Sequence, residues 1–319
     1  MKTRAMFGAA CIGLTVALAA CTSSSGNGPS AGGPPAGRHG MVISVGSFDF
    51  PESVLLADIY GLALAARGYP VWILPNLGPR ELVDPALMKG LLQLVPEYAG
   101  SALEFTSLGR LSPTADAAAA NRTLAKSLAG RGLLAARPAA AQNTNAIVVT
   151  AATAVRYGLR SITDLARVAP RLTFGGPPEC PERAYCLQGL RKAYGLHFKA
   201  FIPLDAGGPL TLQALRAGDI AVALLFNTDP NISAQHLVVL ADDRALQPAE
   251  NITPVVRHDV VARYGTRMLT LINAVSARLT TGSLRSLNAQ VVLDGHRPRS
   301  AAEAWLRAQG LMQTGGVVH

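Results

Sequence analysis

The chain has 319 residues, of which 49% are hydrophobic, and a formal net charge of +9. Its arginines are scattered singly, without a basic run or an interleaved aromatic stripe, which argues against a nucleic-acid-binding protein. The length allows one large domain or two of ordinary size.

The first twenty residues have the features of a secretory signal. Lys2 and Arg4 precede an apolar run that is too short to span a membrane. The run ends in Leu-Ala-Ala-Cys at 18–21, which resembles the bacterial lipobox, a signal whose cysteine is lipidated and becomes the first mature residue. We therefore expect a signal peptide over 1–20 and a lipid on Cys21 that holds the protein on the outer face of the cell membrane. A plain signal peptide with a chance cysteine is the alternative.

Residues 21–40 predict a flexible tether. After Cys21 they are mainly Ser, Gly, Pro and Ala, a composition that cannot bury enough apolar area to fold. Removing 1–20 takes away two basic residues and no acid, which leaves a net charge of +7 and favours attraction to an anionic membrane surface.

Strand and helix patterns alternate from residue 41 onward. Predicted strands cover 41–46, 71–74 and 91–95, with helices beginning at Pro51 and after the loop 76–81, and an Ala-rich helix covers 115–130. This order predicts a parallel α/β sheet with right-handed crossovers.

The alternation restarts at residue 142. Predicted strands are 146–149, 171–174, 198–202, 220–225 and 236–240, and predicted helices are a short one from 162, 183–194 and 210–217. After 253–256 the chain is predicted to be mostly helical. Two successive α/β units indicate two lobes, and the cleft between lobes is a common site for a small ligand.

Tyr98 is the first candidate for that cleft. It follows the predicted strand 91–95, and ligands bind at the carboxyl ends of strands in open α/β sheets. The alternative is a buried tyrosine beside the start of a helix.

Two cysteines remain in the predicted folded part, Cys180 and Cys186. In an exported protein, a pair six positions apart is plausibly a disulfide, and two free buried thiols are the alternative. The sequence lacks a nucleophile elbow, a zinc-protease motif, a Cys-x-x-Cys pair and a phosphate loop, so we expect no enzyme activity, no metal and no cofactor. Asp242 and Asp243 fit a polar turn better than a metal site.

Five short segments, in the same order along the chain, resemble motifs of the substrate-binding proteins of osmoprotectant importers, the ProX-like glycine betaine/carnitine/choline family. They are 45–52 (VGSFDFPE), 76–81 (NLGPRE), 96–101 (PEYAGS), 174–183 (FGGPPE followed by ER) and 226–229 (FNTD). The resemblance covers about 41–312.

This resemblance implies a type II periplasmic-binding fold whose two lobes close on a solute. It implies hinge crossovers near 142–145 and 250–253, a first lobe of 41–142 plus 252–319 and a second lobe of 143–251. The partners implied are a small-molecule solute and an ABC permease in the membrane with a separate ATPase. We expect the binding protein itself to be a monomer.

Members of the family hold a quaternary ammonium group in a box of aromatic rings. The candidate ligand-binding residues are Tyr98, Phe50, Ser53, Ser101, Asn145, Arg183, Leu212, Phe226, Asn227, Thr228 and Gln235. Tyr98 keeps one ring of the box, while Asn145, Leu212 and Gln235 occupy positions where the family commonly carries tyrosine. By resemblance, Arg183 could hold a solute carboxylate. The alternative role for Arg183 is a surface ion pair with Glu182 or Glu179.

The leading hypothesis is therefore the uptake of glycine betaine, carnitine or choline. The missing tyrosines leave open a solute that is not a quaternary amine, such as a polar or aromatic compound. Two hypotheses from other classes are an envelope hydrolase that uses Asp49, Glu52 or Glu97, and a sensory or adhesive lipoprotein.

Overall fold

The computed structural model describes residues 41–111 and 114–313. The predicted signal peptide, the tether and Cys21 lie outside these residues. Within them, no helix combines the length and the apolar character that crossing a bilayer requires.

The strands of the described chain form two separate five-stranded sheets. In chain order they are β1 (Ile43–Gly46), β2 (Val71–Leu74), β3 (Leu94–Tyr98), β4 (Leu133–Ala135), β5 (Asn145–Val149), β6 (Thr173–Gly176), β7 (Ala200–Pro203), β8 (Val222–Phe226), β9 (Val238–Val239) and β10 (Ile252–Arg257). The prediction of an α/β protein with two sheet-and-helix units is confirmed.

Helices connect these strands and form the C-terminal part of the described chain. They are α1 (Pro51–Ala65), α2 (Arg80–Met88), α3 (Ala99–Ser107), α4 (Ala117–Ala129), α5 (Ala151–Tyr157), α6 (Leu187–Tyr194), α7 (Pro209–Ala217), α8 (Asn231–Ala234), α9 (His258–Tyr264), α10 (Thr266–Ser276), α11 (Thr281–Val292) and α12 (Pro298–Ala308). Where the sequence predicts a helix from residue 162, the chain forms a 3₁₀ turn, Thr163–Arg167.

The first sheet has the order β2-β1-β3-β10-β4. Strands β1, β2 and β3 are parallel, as predicted. Strand β10, for which the sequence analysis predicted no direction, runs antiparallel to both β3 and β4. This strand returns directly from the second sheet without a helical crossover, so it enters beside the carboxyl end of β3, and Ile252 lies opposite Tyr98.

Strand β3 begins at Leu94, three residues later than the sequence predicts. Leu91 is 68% exposed and lies before the strand. Tyr98 is consequently the last residue of β3, and α3 follows at once, as the alternative interpretation of Tyr98 expects.

The second sheet has the order β7-β6-β8-β5-β9. Strand β6 is parallel to β7 and β8, whereas β5 is antiparallel to β8 and β9. In each sheet, therefore, the strand that the chain forms just after leaving the other sheet, β5 or β10, runs antiparallel to its neighbours.

Two chain segments, 142–145 and 250–253, connect the sheets, and we call them the crossover segments. They run antiparallel, with Gln142 bridged to Asn251 and Asn143 N donating to Glu250 O at 3.0 Å. We use "first lobe" for the described residues of 41–142 and 252–313, and "second lobe" for 143–251.

Each lobe has its own apolar core. Helix α1 lies at the centre of the first, where most of its residues are buried and Tyr60 Oη lies 2.9 Å from Ser276 Oγ of α10. The second sheet is covered by apolar clusters on both faces. Cys180 and Cys186 form a disulfide within one of these clusters.

Candidate functional site

A cavity of about 120 Å³ lies between the two lobes and is lined by five aromatic rings. The first lobe supplies Phe48, Phe50 and Tyr98, and the second supplies Tyr185 and Phe226. We call this space the aromatic cavity.

Four of the five rings, those of Phe48, Phe50, Tyr98 and Phe226, contact one another. Phe50 lies 5.8 Å from Tyr98 and 5.1 Å from Phe226, measured between ring centroids. Phe48 lies 6.1 Å from Phe50 and 6.4 Å from Tyr98. These separations are those of ordinary aromatic contacts, so each ring supports its neighbour.

Strand ends determine where these rings lie. Tyr98 and Phe226 are the last residues of β3 and β8, and Phe48 and Phe50 occupy the loop that follows β1. That loop is fixed by Ser53, whose buried hydroxyl accepts a hydrogen bond from Phe48 N at 2.9 Å. All four rings therefore meet at carboxyl ends of strands, where an open α/β sheet binds its ligands.

Tyr98 is both buried and part of the cavity wall. Its residue surface is 5% exposed, and its hydroxyl donates to Glu52 Oε1 at 3.0 Å. Burial, together with the adjacent Glu52 carboxylate, raises the pKa of Tyr98 well above its ordinary value. The ring therefore presents an un-ionised phenol to the cavity at neutral pH.

Glu52 is a buried carboxylate that receives four side-chain hydrogen bonds. Besides Tyr98, Asn143 donates to Oε1 at 2.7 Å, and Thr228 and Asn288 donate to Oε2 at 2.5 and 2.6 Å. Burial raises the pKa of Glu52, and the four donors oppose that rise. Because Thr228 belongs to the second lobe and Tyr98 and Asn288 to the first, this one side chain joins the lobes and a crossover segment.

Glu250, in the other crossover segment, lines the aromatic cavity. It accepts from Gly100 N at 3.0 Å and from Ser101 N and Oγ at 3.1 and 2.5 Å, at the start of α3. Burial raises the pKa of Glu250 to about 7, against the lowering effects of the Ser101 bonds and of the Arg80 charge.

A buried ion pair supports the wall behind Phe48. Arg80 donates to Glu97 through Nη2 at 2.8 Å and through Nε at 3.3 Å, and its guanidinium lies 4.8 Å from the Phe48 ring centroid. Burial alone would raise the pKa of Glu97, but the Arg80 charge holds it below its ordinary value.

Arg183 forms an ion pair between the lobes. Its Nη2 donates to Glu81 Oε2 at 2.8 Å, so its partner is neither Glu182 nor Glu179. The Arg183 Nε is buried and has no hydrogen-bond partner among the described residues. This side chain also lines the aromatic cavity.

Asn145 supports the aromatic wall from behind. Its Nδ2 donates to the backbone carbonyl of Tyr185 at 3.0 Å, and Gln247 Nε2 donates to the same oxygen at 3.0 Å. At a position where a tyrosine was expected, an asparagine thus helps to hold the loop that brings another tyrosine ring into the cavity.

A second, larger cavity of about 900 Å³ adjoins the first. Phe50, Ala206 and Phe226 line both spaces, so the Phe50–Phe226 pair forms part of a common wall. We call this second space the side chamber.

The candidate residues from the sequence divide among these features. Tyr98, Phe50, Ser101, Asn145, Arg183 and Phe226 line the aromatic cavity, and Leu212, Thr228 and Gln235 line the side chamber with Phe50 and Phe226. Asn227 lies in neither lining; its Oδ1 accepts from Thr144 N at 3.2 Å. Ser53 fixes the loop before α1. The sequence did not assign Tyr185 or Glu250 to the site, since no local pattern at either residue indicates a cleft.

Comparison with protein families gives a match over residues 42–308 to the substrate-binding domain of ABC-type glycine betaine transport systems. The chain belongs to this family. A glycine-betaine-binding protein of Pseudomonas aeruginosa is 31% identical over 86% of this chain and 89% of its own length. The glycine betaine-binding protein YehZ of Escherichia coli is 28% identical over 84% of this chain and 90% of its own.

Among solved structures, one described as a glycine betaine/carnitine/choline ABC transporter superposes with a TM-score of 0.66. It is 24% identical and covers 84% of this chain and 99% of its own. This likeness shows the fold, and the predicted type II periplasmic-binding architecture and osmoprotectant-importer family are confirmed.

Proposed function

We propose that this member of the betaine-transport family captures a quaternary ammonium osmoprotectant, of the glycine betaine, carnitine or choline type, in the aromatic cavity. The observation that carries the proposal is the convergence of five rings from both lobes on one space. A cation against a desolvated ring gains about 2 kcal/mol. Positions 145, 212 and 235 carry Asn, Leu and Gln in place of tyrosine. Phe50, Tyr185 and Phe226 supply aromatic rings to the cavity in their stead.

The charges around the aromatic cavity favour a cationic group. Glu104, Glu179 and Asp49 line it, while its two arginines, Arg80 and Arg183, are each paired with a glutamate outside the lining. The partnerless Nε of Arg183 offers one N–H to a solute carboxylate. A zwitterion with an ammonium head and a carboxylate fits this combination.

The test is a calorimetric titration of the protein without its first 40 residues against glycine betaine, carnitine and choline. Binding of at least one of them at micromolar concentration is the expected result. An absence of heat at millimolar concentrations of all three would reject this ligand class and leave the fold untouched.

The bound solute is then delivered to a membrane permease driven by a separate ATPase, with the binding protein acting as a lipid-anchored monomer on the outer face of the cell membrane. Labelling of the full chain by a radioactive fatty acid in the native host, and loss of the label in Cys21→Ser, tests the anchor. Light scattering of the soluble part tests the oligomeric state.

A binding role also accounts for two of the three acids considered as hydrolase residues, Glu52 and Glu97. Both oxygens of Glu52 accept from four neutral side chains, and both oxygens of Glu97 accept from Arg80. Side chains so fully engaged hold the walls in place and have no open position for a proton from a substrate.

A further inference from the structure

The side chamber has the chemistry of a site for a neutral, amphipathic group. Its apolar wall includes Leu212, Pro209, Val291 and Val292. Gln213 and Gln235 add neutral polar groups, and Arg216 and Asp229 are of opposite sign. The third ionisable residue of the lining, Glu52, is buried and already accepts four hydrogen bonds.

One polar atom at this chamber lacks a partner. Gln235 Nε2 donates to Asn231 Oδ1 at 3.0 Å, while Gln235 Oε1 is buried and accepts no hydrogen bond from the described residues. A buried acceptor left unpaired is costly, and a hydroxyl or amide N–H on a bound molecule would remove that cost.

The position of the chamber connects it to the aromatic cavity. Phe50 and Phe226 line both spaces and are both half-buried, so a solute that extends from one space into the other must pass this pair of rings. The side chamber is also several times the volume of the aromatic cavity.

From these observations we infer that the protein accepts solutes longer than carnitine, with the quaternary ammonium head in the aromatic cavity and a short aliphatic tail carrying a hydroxyl or amide group in the side chamber. The inference rests on the proposed function, because it assumes that the head group binds first among the five rings. O-Acylcarnitines are suitable probes, since their head is constant and their tail can be lengthened stepwise.

The experiment measures Kd by calorimetry for carnitine and its acetyl, butyryl and hexanoyl esters. Burial of each added methylene in an apolar chamber should strengthen binding about threefold to fourfold. A 3-hydroxybutyryl ester should bind more tightly than the butyryl ester in the wild-type protein and lose that advantage in Gln235→Leu.

Helix α7 supplies a matched pair of variants. Gln213→Trp places a large ring on an exposed residue of the chamber lining and should abolish the gain from longer esters while leaving carnitine itself unaffected. Leu210→Trp, on the same helix but outside the lining, should preserve the gain.

The outcomes separate this inference from the proposed function. If carnitine binds but affinity is flat or falls along the ester series, the side chamber is not a tail site and this inference is overturned alone. If neither carnitine nor its esters nor glycine betaine binds, both are overturned. If Gln213→Trp and Leu210→Trp lose the affinity gain from longer esters to the same extent, the assignment of the tail to the side chamber is also contradicted.

Discussion

At the scale of single residues, the aromatic cavity brings together five rings that are far apart in the sequence. The sequence identified Tyr98, Phe50 and Phe226 because they lie in motifs at strand ends. It could not assign Tyr185, whose ring reaches the cavity through a loop fixed by Asn145, a contact between residues 40 positions apart.

Replacing Phe226 by leucine should weaken the binding of a quaternary ammonium solute by about 30-fold. The leucine keeps most of the apolar volume but removes the π face, which is worth about 2 kcal/mol to a desolvated cation. Calorimetric Kd values check this. Trp72→Ala is the control, because Trp72 is 66% exposed on β2 and does not line the cavity. Equal affinities for wild type and Phe226→Leu would contradict the role of the ring.

Glu250 should make the stability of the ligand-free protein fall as the pH rises. Its native pKa of about 7 lies above its ordinary value of 4.5, so the native state holds the proton more tightly than the unfolded state does. The stabilisation is therefore full below pH 4.5 and is lost as the pH rises through 7, on the order of 3 kcal/mol in total.

Urea unfolding of wild type and Glu250→Gln at pH 5 and pH 8 measures this difference, and the variant should lack that part of the pH dependence. The neighbouring charges, Arg80 and Glu97, are present in both proteins and cancel in the comparison. Parallel stability curves for the two proteins would show that the Glu250 carboxyl does not titrate in this range.

At the scale of elements, the sequence was most informative where apolar periodicity and end signals agree. Strand β1, helix α1 after Pro51 and strand β2 follow the predicted pattern closely. Strand β4 was missed because it has only three residues, and the direction of β10 depends on which sheet the chain has just left, a long-range property that no local pattern records.

Helix α3 provides a test of close packing at the crossover segments. A Cβ on Gly100 would lie 2.6 Å from Pro248 Cγ and 3.0 Å from the carbonyl oxygen of Ala249, so Gly100→Ala should destabilise the protein by about 1–3 kcal/mol. Gly282 occupies the same second position in α11, and a Cβ there would meet no atom closer than 3.9 Å. Gly282→Ala should therefore be neutral or slightly stabilising.

Chemical denaturation of the two glycine variants gives both values. If both variants change the free energy of unfolding equally, the effect of Gly100→Ala comes from helix propensity and not from a clash of the new Cβ with Pro248 and Ala249.

At the scale of the whole molecule, Glu52 and the Arg183–Glu81 pair join the two lobes. The two-lobed architecture was predictable from two successive α/β patterns and the ordered motifs. The contacts between the lobes were not, because Glu52 and Thr228 are 176 positions apart and neither lies in a pattern that indicates a partner.

Thr228→Val should shift the protein toward a more open arrangement. It removes the only donor from the β8–α8 loop to the Glu52 side chain among the described residues, and a hydrogen bond to a charged group contributes about 1.5–3 kcal/mol. Solute affinity should fall at least tenfold, and the radius of gyration from small-angle X-ray scattering should increase without solute. Thr270→Val, whose hydroxyl bonds within its own helix, is the control. Unchanged affinity and scattering would contradict the closing role of Glu52.

The position of β10 between β3 and β4 has a consequence for biosynthesis. During translation, residues 43–135 are made before 252–257, and without that later segment their sheet lacks the strand between β3 and β4. A ribosome must therefore synthesise the whole second lobe before the first can be completed, and the last piece to arrive is also the one that lies against Tyr98. A nascent chain interrupted before residue 252 therefore lacks the strand that completes the first sheet.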